Sequence, residues 1–144
     1  MKRTEHWATQ EYDTHLRQHA NDAFIWGTND CCMFPANAIQ SFTGVDIADD
    51  FRGKYSDEAS AFKLIQTVTG GTTVAEAAAY CAVKHGLIEY QHPLMAKRGD
   101  LVVIKNGDNL IAGIVHLNGH QVISVSKTGL VRLPITSIVK SWSV

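Results

Sequence analysis

The sequence lacks a strong charge excess and long apolar runs, and it has few cysteines. The 144-residue chain has 13 basic and 14 acidic residues and a net charge of −1, so its overall field does not favour nucleic acid. No apolar run approaches the roughly 18 residues of a membrane-spanning helix, and the polar, mixed-charge start lacks the apolar segment of a secretion signal. We therefore expect neither a membrane span nor a nucleic-acid partner.

The cysteines are Cys31, Cys32 and Cys81, an odd number with two adjacent. This pattern argues against a disulfide framework, and a bridge between neighbouring residues would strain the backbone. We expect three reduced thiols.

The chain divides into two differently built parts. Residues 1–96 carry 7 basic and 12 acidic side chains, whereas residues 97–144 carry 6 basic and 2 acidic. The first part has helical spacing of apolar residues, and the second has short β-branched runs separated by NGDN, NG and KTG. The sequence predicts one α+β domain over residues 1–144, in which N-terminal helices pack on a small antiparallel, barrel-like sheet.

Four helices are predicted. They run from Trp7 to about His19, from Asp30 or Cys31 to Gly44, from a cap at Ser56 to about Val68, and from a Thr73–Glu76 capping box to Gly86. In the second helix, Cys31, Phe34, Pro35, Ala38 and Phe42 share one side, and Met33, Asn37, Gln40 and Ser41 share the other. The fourth should bury Val74, Ala77, Ala78, Cys81 and Ala82. The strands are predicted in LVVIK, LIAGIVHL, HQVISVS and LVRLPI.

Cys31 is the candidate nucleophile, because it follows Asp30 at a predicted helix start. Unpaired amides and the positive end of the helix dipole would there favour the thiolate. The alternative is that Cys31 is a small core residue, which is the role we expect for Cys81 in its alanine-rich stripe.

The segments FIWGTNDCC, TGVDIADDFRGKY, RGDLVVI, IAGIVHLNGHQVISVSKTGLVRLPI and SWSV together resemble a phage and prophage family encoded among tail genes. That family is distantly similar to NlpC-type cell-wall peptidases, which have a papain-like fold. The resemblance implies a papain-like domain in the virion tail, with other tail proteins and peptidoglycan as candidate partners and no cofactor. It gives Cys31 the nucleophile position, and it makes Gly99, Asp100 and Leu101 the start of the sheet.

The remaining active-site positions of that superfamily depart from its pattern. Aligning Gly113 with the family glycine puts Ile111 at the base-histidine position, the third polar residue falls at Ile123 or Ser124, and Phe24 replaces a tyrosine. A thiol without a base lacks the proton transfer that acyl transfer requires. His116 and His120 are candidate replacements, but strand alternation puts His116 on the opposite face from Ile111 unless a bulge at Gly113 shifts the register.

Three functions follow as hypotheses. In the first, the chain is a structural or interaction component of a phage tail with a degenerate catalytic site. In the second, it is an active cysteine peptidase or amidase that acts on peptidoglycan during DNA entry. In the third, it is a wall-binding module without catalysis.

Other groups have simpler explanations. His15 and His19 lack the acidic partner of a HExxH site, and adjacent Cys31 and Cys32 lack zinc-ligand spacing, so no metal is expected. Asp46, Asp49 and Asp50 should cap their loop or pair with Arg52 and Lys54. Arg98-Gly99-Asp100 should form the turn into the first predicted strand.

Overall fold

Four α-helices pack on a six-stranded antiparallel sheet in this computed structural model, which describes residues 1–144. A π-helical turn, Trp7–Glu11, leads into α1 (Tyr12–Gln18), followed by α2 (Met33–Thr43), α3 (Glu58–Thr69) and α4 (Val74–Lys84). The strands are β1 (Ile88–Glu89), β2 (Leu101–Asn106), β3 (Asn109–Val115), β4 (Gln121–Ser126), β5 (Gly129–Pro134) and β6 (Ile138–Ser143). Their order in the sheet is β1-β6-β2-β3-β4-β5. The α+β class is confirmed.

The helix ends follow local sequence signals closely. Thr73 and Glu76 form the predicted capping box, and the five residues buried by α4 are those expected. Gly44 ends α2 in the left-handed conformation at φ 74°. The prediction for α3 was wrong by one residue, because Asp57 rather than Ser56 accepts the backbone N–H of Ser60. The first helix is also not continuous, since a π-helical turn replaces its first five residues.

Helix α2 differs from its prediction in where it begins and in which side it buries. It begins at Met33, because the Asp30 carboxylate caps the N–H groups of Cys32 and Met33. Met33 was predicted on the same side as the polar residues Asn37, Gln40 and Ser41, yet it is 0% exposed, and Ala36 and Ile39 are also buried. The helix is covered on several sides because α1 packs against it as well as the sheet.

The sheet is strongly curled. Strands β5 and β6 are joined only by the 3₁₀ turn Ile135–Ser137, although β4, β3 and β2 lie between them in the sheet. In a flat sheet they would be about 19 Å apart, whereas four Cα steps reach at most about 14 Å even when fully extended. The sheet therefore bends toward closure, which agrees with the barrel-like prediction, but β1 and β5 remain unpaired edges.

This curl gives the sheet a buried core on each face. Leu101, Val103, Ala112, Ile114 and Ile123 face the helices. Val102, Ile104, Ile111, Val115 and Val122 form a second cluster on the other face. The predicted alternation along β3 is thus confirmed, and the helix-facing positions are Ala112 and Ile114.

The turn into β2 is built around Asp100, which is 1% exposed. Its carboxylate accepts hydrogen bonds from Arg3, Tyr90 and the backbone N–H groups of Lys97 and Val144, at 2.8 to 3.0 Å. Gly99 has φ +80°, a conformation that L side chains rarely adopt. The structural role predicted for Arg98-Gly99-Asp100 is confirmed, and the turn also ties residue 3 to residue 144.

Candidate functional site

The turn before α2 is held by the buried carboxylate of Asp30. Asp30 is 1% exposed, and its Oδ1 accepts the N–H groups of Cys32 and Met33, both at 2.9 Å. Its Oδ2 accepts the Gly27 N–H at 2.8 Å and the Tyr55 hydroxyl at 2.5 Å. Four donors around one carboxylate fix the backbone on both sides of Cys31.

Gly27 is required by this turn. Its φ is +82°, and a Cβ added there would collide with the backbone carbonyl oxygen of Tyr55. The loop that carries Tyr55 therefore packs directly on the turn that carries Cys31.

The three thiols share one apolar cavity. Cys31, Cys32 and Cys81 all line a cavity of about 60 Å³ between α2, α3, α4 and the sheet. Its wall is almost wholly hydrophobic, and Phe62, which is 39% exposed, lies where the wall meets solvent. The sequence separated these cysteines into different roles, but tertiary packing brings them to one place.

Two of the thiols are held in the protonated form. Contact with the Cys31 thiol and burial raise the pKa of Cys32 well above its usual range. Burial, with a smaller contribution from Asp49, raises the pKa of Cys81 to about 12. Neither is suited to act as a nucleophile near neutral pH, and the core role predicted for Cys81 agrees with its burial.

The start of α2 does not offer Cys31 the free amides that the sequence suggested. The N–H groups of Cys32 and Met33 donate to Asp30, and the Phe34 N–H donates to the Asp30 carbonyl. A carboxylate therefore already occupies the positive end of the helix dipole. The backbone N–H of Cys31 itself has no acceptor in the chain.

No histidine lines the cavity beside Cys31. Ala112 of β3 reaches it, whereas Ile111, where the NlpC-type resemblance predicts a histidine, belongs to the second core, against which Cys31 also packs. Ile123 pairs directly with Ile114, so Ile111 and Ile123 lie on opposite faces of the sheet. Ile111 and Ile123 are both apolar, so neither side chain supplies Cys31 with a base.

The candidate base His116 lies elsewhere. It lines a separate cleft with His15, His19 and Phe34, which shares no lining residue with the thiol cavity. The Ser124 hydroxyl donates to the Ala112 carbonyl oxygen at 2.6 Å and is 0% exposed. His120 is exposed beyond the β3–β4 turn. None of the three forms a hydrogen bond with Cys31.

Sequence reasoning missed Tyr55 and Trp26. Burial, followed by the charge of Asp30, raises the pKa of the Tyr55 hydroxyl, which therefore stays a hydrogen-bond donor. Trp26 lines the cavity and packs edge-on against Phe24, with ring centroids 4.9 Å apart. Tyr55 lies in a loop with no periodic pattern, and only the tertiary fold shows its role.

The acidic loop is partly as predicted. Arg52 donates two hydrogen bonds to Asp46 at 2.7 and 3.0 Å. The expected pairing of Asp49 and Asp50 within the loop was wrong, because both contact Lys84 of α4, at 2.9 and 2.8 Å.

No three His, Cys, Asp or Glu side chains are grouped so that they could hold a metal ion. None of the helices combines the length and apolar character needed to cross a bilayer.

Comparison with known protein families shows to which family the chain belongs. Residues 2–144 match the family described as Domain of unknown function (DUF6950). No curated protein and no solved structure matches the chain. Since the match covers all but the first residue, the chain belongs to the DUF6950 family.

Proposed function

We propose that this chain is a papain-like, NlpC-type domain that acts as a structural or interaction component of a phage tail, with a degenerate catalytic site. Its association with tails and the papain-like assignment rest on the sequence resemblance. The loss of catalysis rests on one observation: the cavity beside Cys31 contains no imidazole, and its one carboxylate, Asp30, is saturated by four donors.

A cysteine peptidase needs a base that removes the thiol proton and later protonates the leaving amine. Asp30 cannot take that role while it caps α2, and Ala112 has no titratable group. A fold can persist after its chemistry has gone, because the core that supports it is separate from the reacting groups.

Two measurements test this proposal. Purified wild-type chain, Cys31→Ser and Cys31→Ala are incubated with purified peptidoglycan, with an active NlpC-type peptidase as positive control. We expect no soluble fragments from any of the three. Fragments released by the wild type and lost in Cys31→Ala, with unchanged circular dichroism, would overturn the loss of catalysis.

The tail assignment is tested in particles produced from the genome that encodes the chain. We expect the chain to sediment with purified tails, and Cys31→Ser to leave infectivity unchanged. Absence from purified tails at a sensitivity that detects one copy per particle would refute this part.

An active peptidase or amidase on peptidoglycan is the second candidate. The free backbone N–H of Cys31 favours it, because an amide beside a nucleophile is the donor that a developing oxyanion needs. The same peptidoglycan assay decides between the two candidates.

A further inference from the structure

A second cleft is lined by an unusual number of basic side chains. The cleft is lined by His15 and His19 of α1, His116 after β3 and Arg132 of β5. The apolar residues at its base include Phe34 and Ile123. No carboxylate lines this cleft, and it lies apart from the thiol cavity.

Two acids act on the charges of these histidines, and each contacts another side chain. Asp13 contacts Arg17 at 2.8 Å on the same helix, and Asp22 contacts His19 at 2.5 Å. Arg132 forms no ion pair and no side-chain hydrogen bond in the chain, and it is exposed. Arg132 therefore gives this cleft one positive charge that no acid of the chain pairs with.

The orientation of His116 adds a directed donor. Its Nδ1 accepts the backbone N–H of Asn118 at 3.1 Å, so the neutral ring carries its proton on Nε2. That Nε2–H has no acceptor in the chain. The His15 ring, half-buried and 4.4 Å from the ring of His19, also forms no hydrogen bond.

We propose that this cleft binds a small oxyanion, a carboxylate or a phosphate-type group, through the Arg132 guanidinium and the Nε2–H of His116, with His15 as a further donor. Guanidinium and imidazole are suited to such oxygens because their N–H groups match the lone pairs of planar or tetrahedral anions. The proposal is independent of any role for Cys31.

Binding should strengthen as the pH falls. Burial, followed by the charge of His19, lowers the pKa of His15 to about 4, and burial followed by Arg132 lowers the pKa of His116. An anion seated among these groups favours their charged forms and raises both pKa values. The charge of Asp13 also raises the pKa of His116, and the charge of Asp22 raises that of His15. These effects are limited because Asp13 pairs with Arg17 and Asp22 with His19.

The test follows the histidine ring signals of the intact chain by NMR during separate titrations with sodium sulfate and sodium acetate. Ionic strength is held constant with sodium chloride, at about pH 5.5 and about pH 7.5. We expect saturable shifts of His15 and His116 with at least one anion, and affinity about threefold or more higher at the lower pH. Preference for sulfate would indicate a phosphate-type ligand, and preference for acetate would indicate a carboxylate.

Variants make the site assignment specific. Arg132→Gln should weaken binding about fivefold or more, whereas Lys105→Gln, which removes an exposed positive charge at the end of β2, should not change it. His120→Gln is the matched histidine control outside the cleft. Shifts that stay linear up to about 50 mM of both anions, or equal losses in Arg132→Gln and Lys105→Gln, would overturn the proposal.

Discussion

Replacing Asp30 by asparagine tests whether this carboxylate holds the turn that carries Cys31. The substitution keeps the side-chain shape but leaves one acceptor oxygen where the carboxylate has two. If the amide oxygen takes the two N–H groups on Oδ1, the amide nitrogen faces the Gly27 N–H and the Tyr55 hydroxyl. The hydroxyl can rotate and accept a hydrogen bond, but the Gly27 N–H loses its acceptor.

The magnitude follows from these contacts. A buried N–H without an acceptor costs about 1–3 kcal/mol, and hydrogen bonds to a charged group, worth about 1.5–3 kcal/mol each, weaken when the charge is lost. Removing a buried charge recovers part of its desolvation penalty. We expect Asp30→Asn to lower the free energy of unfolding by about 2–4 kcal/mol.

Urea unfolding followed by circular dichroism measures this loss as a change in midpoint at constant slope. Asp108→Asn, at an exposed turn residue, is the matched control and should change stability by less than about 0.5 kcal/mol. Tyr55→Phe should cost about 1.5–3 kcal/mol in the wild type and less in Asp30→Asn. A loss below about 0.5 kcal/mol for Asp30→Asn would refute the role assigned to the carboxylate.

Three further predictions concern single side chains. The pKa of His15 is lowered from 6.5 to about 4, so below pH 6.5 the unfolded chain binds a proton that the folded chain does not. The free energy of unfolding should therefore fall by about 1–2 kcal/mol between about pH 6.5 and pH 4, because partial exposure reduces the effect of the full shift. In urea titrations, His15→Gln should reduce this dependence of the unfolding free energy on pH. Gly27→Ala should cost more than about 2 kcal/mol in the same assay, whereas Gly53→Ala, with φ +75° and no atom near an added Cβ, should cost only about 1–2 kcal/mol. Cys81, with a pKa of about 12, should resist alkylation at about pH 8 until the chain unfolds, as peptide mass spectrometry would show; labelling of Cys81 as fast as that of Cys31 would contradict its burial.

Local signals account for the parts of the fold that the sequence predicts well. The Thr73–Glu76 capping box and the buried stripe of α4 depend on contacts within one helix. The four strands from β2 to β5 follow from β-branched runs and turn residues. Strands β1 and β6 were missed, because β1 has only two residues and β6 mixes lysine and serine with its apolar positions.

The features that the sequence did not predict depend on contacts between residues far apart in the chain. Met33 is buried because α1 and the sheet cover different sides of α2. The sequence placed Cys31 at the helix start, but only the fold shows that Asp30 occupies the helix amides and that Ala112 is the β3 residue lining the cavity beside it. The cleft around His116 joins residues from both ends of the chain, which no spacing rule connects.

The double burial of β2 has a consequence for the unfolded chain. Leu101, Val102, Val103 and Ile104 are each at most 2% exposed, so both faces of this strand are apolar. A short, uncharged, β-branched run of this kind is the type of segment that starts intermolecular β-aggregation when it is exposed. Asp100 and Lys105 flank it directly and act as charged gatekeepers. Removing the charge of Lys105 should therefore increase aggregation during refolding and leave the free energy of unfolding almost unchanged. Removing the charge of Asp100 should increase aggregation and also lower the free energy of unfolding.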